Sequence, residues 1–163
     1  MLRSLATIFG DSLGDNLGWG AILAFFAGFI IAQLCKFLLG ACTKEGRSGM
    51  KDIRSAIGYL MRSGGMPSGH SAGMMAVTVY LGCYYGFLSG IFALAVATTG
   101  IVLYDATHVR YAVGEQGEAL NKLLKKSGEA ELPVVEGHTM LQVVVGAFLG
   151  IMVGLGVFFL VAR

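Results

Sequence analysis

Four long apolar segments constrain the fold of this chain more than any other feature of its sequence. They extend over about Leu17–Cys42, His70–Phe87, Ser89–Tyr104 and Met140–Val161. A helix crosses a bilayer with about 17 to 25 residues, so the first and last segments are full spans and the two between are near the short limit. We expect these two to be tilted or shielded by protein. The sequence therefore predicts an all-α integral membrane bundle of about four transmembrane helices.

The connections between the segments are expected to contain only short elements. Gly86–Gly90 is brief enough to make the second and third segments an antiparallel hairpin. Short amphipathic helices on the cytoplasmic side are predicted at Lys51–Met61 and Gly114–Lys126, because apolar residues recur there at helical spacing. Ser127–Gly137 is predicted to be a loop. With 163 residues, the chain is expected to form one membrane-embedded domain over residues 1–163.

The basic residues are concentrated on one side of this predicted bundle. With four spans, the long loops at about Thr43–Ser68 and Arg110–Thr139 lie on the same side. These loops hold nine of the twelve lysines and arginines: Lys44, Arg47, Lys51, Arg54, Arg62, Arg110, Lys122, Lys125 and Lys126. Loops rich in lysine and arginine stay in the cytoplasm, so we predict that both loops face it. The formal net charge of +2 is too small to indicate a nucleic-acid partner.

Several polar residues lie at segment ends, where polarity is costly. They are Lys36, His70, Asp105, Arg110 and His138. In the four-span topology all of them fall at the cytoplasmic end, which predicts a shared site. Taken singly, each has a structural explanation: Lys36 as a snorkelling anchor, Arg110 as a positive-inside residue, and His138 as a helix-start residue. Asp105 is expected to pair with Arg110 or with His108, because buried charges need partners.

The stretch Gly64–Ala72 reads Gly-Gly-Met-Pro-Ser-Gly-His-Ser-Ala and precedes an apolar helix. The first backbone N–H groups of a helix have no partner within it and carry the positive end of its dipole, so such a turn can hold a phosphate. His70 beside it is suited to deliver a proton to a leaving oxygen. In a chain this apolar, the stretch indicates chemistry on a phosphate at a membrane surface.

Small residues form a stripe on one face of the last segment, at Gly146, Gly150 and Gly154. Small residues four apart let helices approach closely in lipid. Two interpretations stay open: a homodimer interface, or packing within the monomer. The first segment has a comparable stripe, formed by Ala24, Gly28 and Ala32.

Taken in order, these motifs resemble the divergent branch of the type 2 phosphatidic acid phosphatase superfamily, which also contains vanadium-dependent haloperoxidases. The resemblance extends from about Gln33 onward and rests on Gly64–Ala72, Tyr104–Arg110, Gly114–Asn121, and Gly137–Leu141 with Gly146. It implies a phosphatase that needs no metal or other cofactor.

The resemblance also implies residue roles. Phosphate oxygens would be bound by Lys36, Ser68, the amide of Gly69, and Arg110. His70 would be the general acid that protonates the leaving alkoxide. His138 would be the nucleophile that attacks phosphorus and forms a phosphohistidine, which water then hydrolyses.

Two positions depart from the family pattern. Thr43 stands where the family has the arginine of an Arg-Pro pair. Gln142 stands where an aspartate or glutamate orients the nucleophile, four residues after it. The glutamine carbonyl can still accept the ring N–H and fix the tautomer, but it cannot stabilise an imidazolium. Asp105 or Glu136 would be a substitute carboxylate.

The function predicted from the sequence is hydrolysis of a phosphomonoester on a phospholipid or an isoprenoid lipid, at the cytoplasmic face of a bacterial cytoplasmic membrane. Phosphatidic acid, phosphatidylglycerophosphate and polyprenyl phosphate are the substrate types that fit. The alternative is a non-catalytic membrane protein that binds phospholipid or another anion in a retained phosphate pocket.

Overall fold

The computed structural model describes residues 17–43, 65–134 and 137–161, and all regular secondary structure in these ranges is helical. The five α-helices are α1 (Leu17–Cys42), α2 (Gly69–Tyr85), α3 (Gly90–Tyr104), α4 (Arg110–Ser127) and α5 (Met140–Val161). A π-helical turn, Asp105–Val109, joins α3 to α4. The amphipathic helix predicted at Lys51–Met61 lies outside the described residues.

Three helices in the described ranges are long and apolar enough to cross a membrane: Gly18–Cys42, Gly90–Lys126 and Met140–Val161. The fourth predicted span is α2, which has 17 residues. It contacts α1, α3 and α5, and eight of its 17 residues are buried. The predicted all-α membrane bundle is therefore confirmed, and α2 is shielded by the helices around it.

The face of α2 toward α5 is packed backbone against backbone. Three glycines of α5 lie over three successive turns of α2: Gly146 over Ser68, Gly150 over Ala72, and Gly154 over Ala76. A Cβ atom on Gly146 or Gly154 would lie 2.5 Å from the carbonyl oxygen of the facing residue. No side chain larger than hydrogen fits between the two helices at these positions.

A second face of α2 is packed in the same way against α1. A Cβ atom on Gly28 would lie 2.8 Å from the carbonyl oxygen of Ala72, and Ala24 and Ala32 are fully buried. The carbonyl of Ala72 is thus enclosed between Gly28 and Gly150. The α5 glycines thus pack against α2 within the chain.

The contact between α2 and α3 is polar. Thr78 and Thr99, both buried, form a hydrogen bond of 2.7 Å between their hydroxyl oxygens. The Thr99 hydroxyl also donates to the carbonyl oxygen of Met74 at 3.3 Å. Hydrogen bonds of this kind hold neighbouring helices together in lipid, because the hydrophobic effect does not drive helices together there.

The long helix through α3 and α4 differs from the sequence expectation. A loop was expected from Arg110 and a helix only from Gly114, but the chain stays helical from Gly90 to Lys126, over 37 residues. At 1.5 Å per residue this helix is about 55 Å long, well beyond the roughly 30 Å hydrocarbon core. The end of α4 therefore projects past the membrane core.

The glycine contact predicts a strong asymmetry between two substitutions in α5. Gly150→Leu places a side chain against the backbone of Ala72, and we expect it to lower the free energy of unfolding by about 1–3 kcal/mol or more, the usual effect of overpacking. Gly156→Leu is the matched control, because a Cβ there meets nothing within 4 Å. Thermal unfolding in detergent measures the difference. Equal stability of the two variants would contradict the described packing.

Candidate active site

The predicted site residues meet at one end of the bundle, where α1 and α3 end and where α2 and α5 begin. Lys36 comes from α1, His70 from α2, Arg110 from the start of α4, and His138 from the segment before α5. The positive charges of the first three act electrostatically on His138. The structure therefore brings these four residues to the same end of the bundle.

The start of α2 is fixed by Ser68, its fully buried N-cap residue. The Ser71 hydroxyl donates to the Ser68 hydroxyl at 2.9 Å, and the Ser68 amide donates to the carbonyl oxygen of Gln142 at 3.1 Å. Gly69, the next residue, is buried against α1, where a Cβ would lie 3.2 Å from Phe29. The first amides of α2 are thus held rigidly beside the first turn of α5.

Lys36 lies beneath the turn that leads into α2. It is only 6% exposed, and a Cβ on Gly65 would lie 2.9 Å from its Cε and 3.6 Å from its Nζ. Gly65 also has a φ of 83°, a conformation that side chains other than glycine rarely adopt. The glycine therefore makes room for the lysine at the mouth of the turn.

His70 lies in the first turn of α2 and is exposed on one side. Its ring packs edge-on against Phe29, with 5.7 Å between the ring centroids. It interacts electrostatically with Arg110 and His138. The exposed ring of His70 is therefore accessible to a ligand at the start of α2, near Arg110 and His138.

Arg110 is oriented by the π-helical turn. Its Nε donates to Oδ2 of Asp105 at 2.6 Å, and its backbone N–H donates to the carbonyl oxygen of the same residue. The predicted pairing of Asp105 is therefore with Arg110, whereas His108, the other candidate, stacks on Tyr104 at 4.2 Å. The Nε–Oδ2 contact fixes the guanidinium of Arg110 to the carboxylate of Asp105, and the Arg110 side chain is half exposed.

The backbone of the segment before α5 fixes His138 to the same π-helical turn. The His138 amide donates to the carbonyl oxygen of Ala106 at 3.2 Å. In an α-helix this carbonyl would accept from Arg110, whose amide here reaches one residue further back. Gly137 touches the backbone of Tyr111 so closely that no Cβ fits. The π-helical turn thus supplies the acceptor that anchors His138.

Burial lowers the pKa of the His138 imidazole, and the positive charges of Lys36, His70 and Arg110 lower it further. Both effects disfavour the imidazolium form. They favour the neutral imidazole, which is the form in which a histidine acts as a nucleophile.

The side chain of Gln142 has a different role from the one predicted. Its Oε1 accepts from the backbone N–H of Thr139 at 3.0 Å, and the backbone N–H of Gln142 donates to the Thr139 hydroxyl at 3.4 Å. This reciprocal pair is a capping box, which stabilises the start of α5. The buried Nδ1 of His138 has no hydrogen-bond partner among the described residues, so Gln142 does not orient the ring there.

One residue of this region was not singled out from the sequence as part of the site. Asn121 of α4 forms two hydrogen bonds of 2.8 Å with the backbone of Leu132. The signal was present, since Asn121 ends one of the motifs that carry the resemblance, but its partner lies in the loop predicted at Ser127–Gly137. Only the structure shows that this loop folds back along α4.

Two comparisons with known proteins identify the family and a relative of this chain. The model of a family described as the Divergent PAP2 family matches residues 19–153, a range that contains every site residue named above. The chain is 31% identical over 110 residues to the uncharacterized membrane protein YuiD of Bacillus subtilis (strain 168), covering 57% of this chain and 70% of that protein. No solved structure matches.

The electrostatic environment of His138 predicts how its titration responds to a substitution. We expect His138 to titrate below the ordinary histidine range, and Lys36→Met to raise its pKa because a neighbouring positive charge is removed. NMR of the protein with labelled histidine resolves this, since the chain has 3 histidines. Lys122→Met, on the exposed face of α4, is the control and should leave the pKa unchanged. An unshifted pKa in Lys36→Met would contradict the described neighbourhood.

Proposed function

The chain belongs to the Divergent PAP2 family, and from this we propose that it is a membrane phosphatase that hydrolyses phosphomonoesters of lipids. The observation that carries the proposal is the meeting of two histidines, a lysine and an arginine at the start of a buried helix. A phosphate group bound there would be surrounded by positive charge and helix amides, which favour the oxygens of a transferring phosphoryl group.

The proposed reaction has two steps. In the first, a ring nitrogen of His138 attacks phosphorus, the bond from phosphorus to the lipid oxygen breaks, and His70 gives its proton to the leaving alkoxide. In the second, His70 takes a proton from water, the water oxygen attacks the phosphohistidine, and His138 is released with inorganic phosphate. Because Nδ1 of His138 is buried, Nε2 is the nitrogen that attacks.

Lys36 and Arg110 contribute charge rather than protons. Phosphoryl transfer spreads negative charge over three oxygens, so its barrier falls mainly through positioning and electrostatic stabilisation. Lys36 is held under the turn before α2, and Arg110 is held by Asp105. Both cations are therefore preorganised before the substrate binds, as are the first amides of α2.

A lipid substrate is favoured by the apolar surface around these residues. Large apolar side chains are exposed next to each part of the site: Met66, Val109, Tyr111, Met140 and Leu141. They would contact the glycerol and acyl or prenyl part of a substrate whose phosphate reaches His138. Phosphatidic acid, phosphatidylglycerophosphate and polyprenyl phosphate all have this form.

A second candidate function, a non-catalytic protein that binds phospholipid or another anion, is favoured by a specific observation. A neutral His138 that attacks through Nε2 has its proton on Nδ1, which is buried and has no acceptor in the described part of the chain. An unsatisfied buried donor costs about 1–3 kcal/mol. The residues proposed to bind phosphate would still bind an anion in a protein with no carboxylate to accept the Nδ1 proton.

Phosphate release separates the two functions. We expect purified protein to release phosphate from at least one lipid phosphate in the presence of EDTA, and His138→Ala to lose this activity because the nucleophile is gone. His70→Ala should reduce the rate by about 10²- to 10⁴-fold, the usual contribution of a general acid.

The matched control is His108→Ala, because His108 is exposed and stacks on Tyr104. Its activity should equal that of the wild type. If no lipid phosphate is hydrolysed while wild type and His138→Ala bind anionic vesicles equally, the binding function is the correct one.

The proposed cytoplasmic position of the site is tested by labelling single cysteines in intact cells. In a chain whose native cysteines are replaced by alanine, an impermeant thiol reagent should miss Ser127→Cys at the end of α4. It should label Leu88→Cys, which is fully exposed in the hairpin at the opposite end of the bundle. The reverse pattern would place the site on the outer side.

A further inference from the structure

The loop after α4 turns back along the same helix. Gly128 ends α4 in a left-handed conformation with a φ of 75°, and the Glu129 amide donates to the carbonyl oxygen of Leu124 at 3.0 Å. This is the hydrogen-bond pattern that reverses a chain at a helix end. We call residues 129–134 and 137–139 the strap.

Asn121 attaches the strap to α4 through both ends of its amide group. Its Nδ2 donates to the carbonyl oxygen of Leu132, and its Oδ1 accepts from the amide of the same residue, each at 2.8 Å. A side chain that satisfies both backbone groups of one residue fixes that residue along the strap as well as across it. Neither aspartate nor alanine can form both bonds.

Two further contacts continue in the same direction. A Cβ on Gly117 would lie 2.9 Å from a methyl carbon of Val134, and Gly137 lies against the backbone of Tyr111. From Asn121 to Tyr111 a helix rises about 15 Å. The described parts of the strap therefore contact the long helix at three points, Asn121, Gly117 and Tyr111, over this length.

The far end of the strap is His138. Its amide bonds to Ala106, and its ring lies among Lys36, His70 and Arg110. Because these contacts lead along the strap toward His138, loss of the Asn121 contact would release the part of the strap that precedes the histidine. Asn121 is not one of the residues proposed to bind phosphate, but it holds the strap at Leu132.

We propose that Asn121 is a positioning residue for the nucleophile: it acts through the strap to hold the His138 ring in line with a phosphate bound at the start of α2. The effect on turnover rests on the proposed function. The effect on the position of His138 does not, and it can be measured without any substrate.

The kinetic test compares Asn121→Ala with Gln116→Ala, an amide truncation at an exposed position of the same helix. Misplacing a reacting group by about 1 Å costs on the order of 100-fold in rate. We therefore expect kcat of Asn121→Ala to fall at least tenfold while KM changes less than about twofold. Gln116→Ala should match the wild type. An unchanged kcat in Asn121→Ala would overturn the proposal.

A disulfide can replace the Asn121 contact and separates positioning from general damage to the fold. A Cβ on Gly117 would lie 3.4 Å from the Cβ of Val134, close to the usual separation of about 3.5–4.5 Å in disulfides. Gly117→Cys with Val134→Cys, added to Asn121→Ala in a chain whose native cysteines are alanine, should restore kcat when oxidised. Reduction should remove the rescue. Failure of a formed disulfide to restore kcat would count against the strap.

The titration of His138 tests the same inference if the protein hydrolyses no lipid. Loosening the strap lets water reach the ring and separates it from the cations around it, so the pKa of His138 should rise in Asn121→Ala and return when the disulfide forms. Gln116→Ala should leave it unchanged. A shift of the His138 pKa in Asn121→Ala, in a protein with no phosphatase activity, would support the positioning role and refute the phosphatase. Phosphatase activity in the wild type, with no pKa shift in Asn121→Ala, would support the phosphatase and refute the positioning role.

Discussion

The contact between the backbone of α2 and the glycines of α5 and α1 determines most of this structure. Because Gly146 lies directly on Ser68, the first turn of α5 is placed beside the first turn of α2, and the two histidines that precede or begin these helices become neighbours. A shift of either helix along its axis would bring side chains into the places that only glycine fits. The packing of the bundle and the geometry of the site are therefore set by the same contacts.

The electrostatics of the site follow from which charges this packing brings together. Lys36 is buried under the turn before α2, and Arg110 is held by Asp105, the carboxylate that the structure places at this end. Burial lowers the pKa of His138, and the positive charges of Lys36, His70 and Arg110 lower it further. An anion bound among these groups would reduce that effect, so the protonation of the site and its occupancy are linked.

The helices and the meeting of their polar ends could be predicted because hydropathy and chain connectivity dictate both. The site residues at Lys36, His70, Arg110 and His138 came together for that reason. Gln142 was assigned to the wrong neighbour, since a position four residues after His138 is also the third residue of α5. The pattern Thr139-x-x-Gln142 is itself a capping signal. The strap and the continuous helix through α4 depend on tertiary contacts between segments, such as that of Asn121 with Leu132, which local periodicity does not contain.

The π-helical turn between α3 and α4 constrains how the sequence can evolve. One residue corresponds to about 100° of rotation in a helix. The extra residue in this turn therefore sets the angle between the side of α3 that faces its neighbours in the membrane and the side of α4 that carries the strap. Loss of a single codon within Asp105–Val109 would turn α4, with Arg110 and the anchor of His138, away from α2. Insertions and deletions should therefore be rarer in this turn than substitutions.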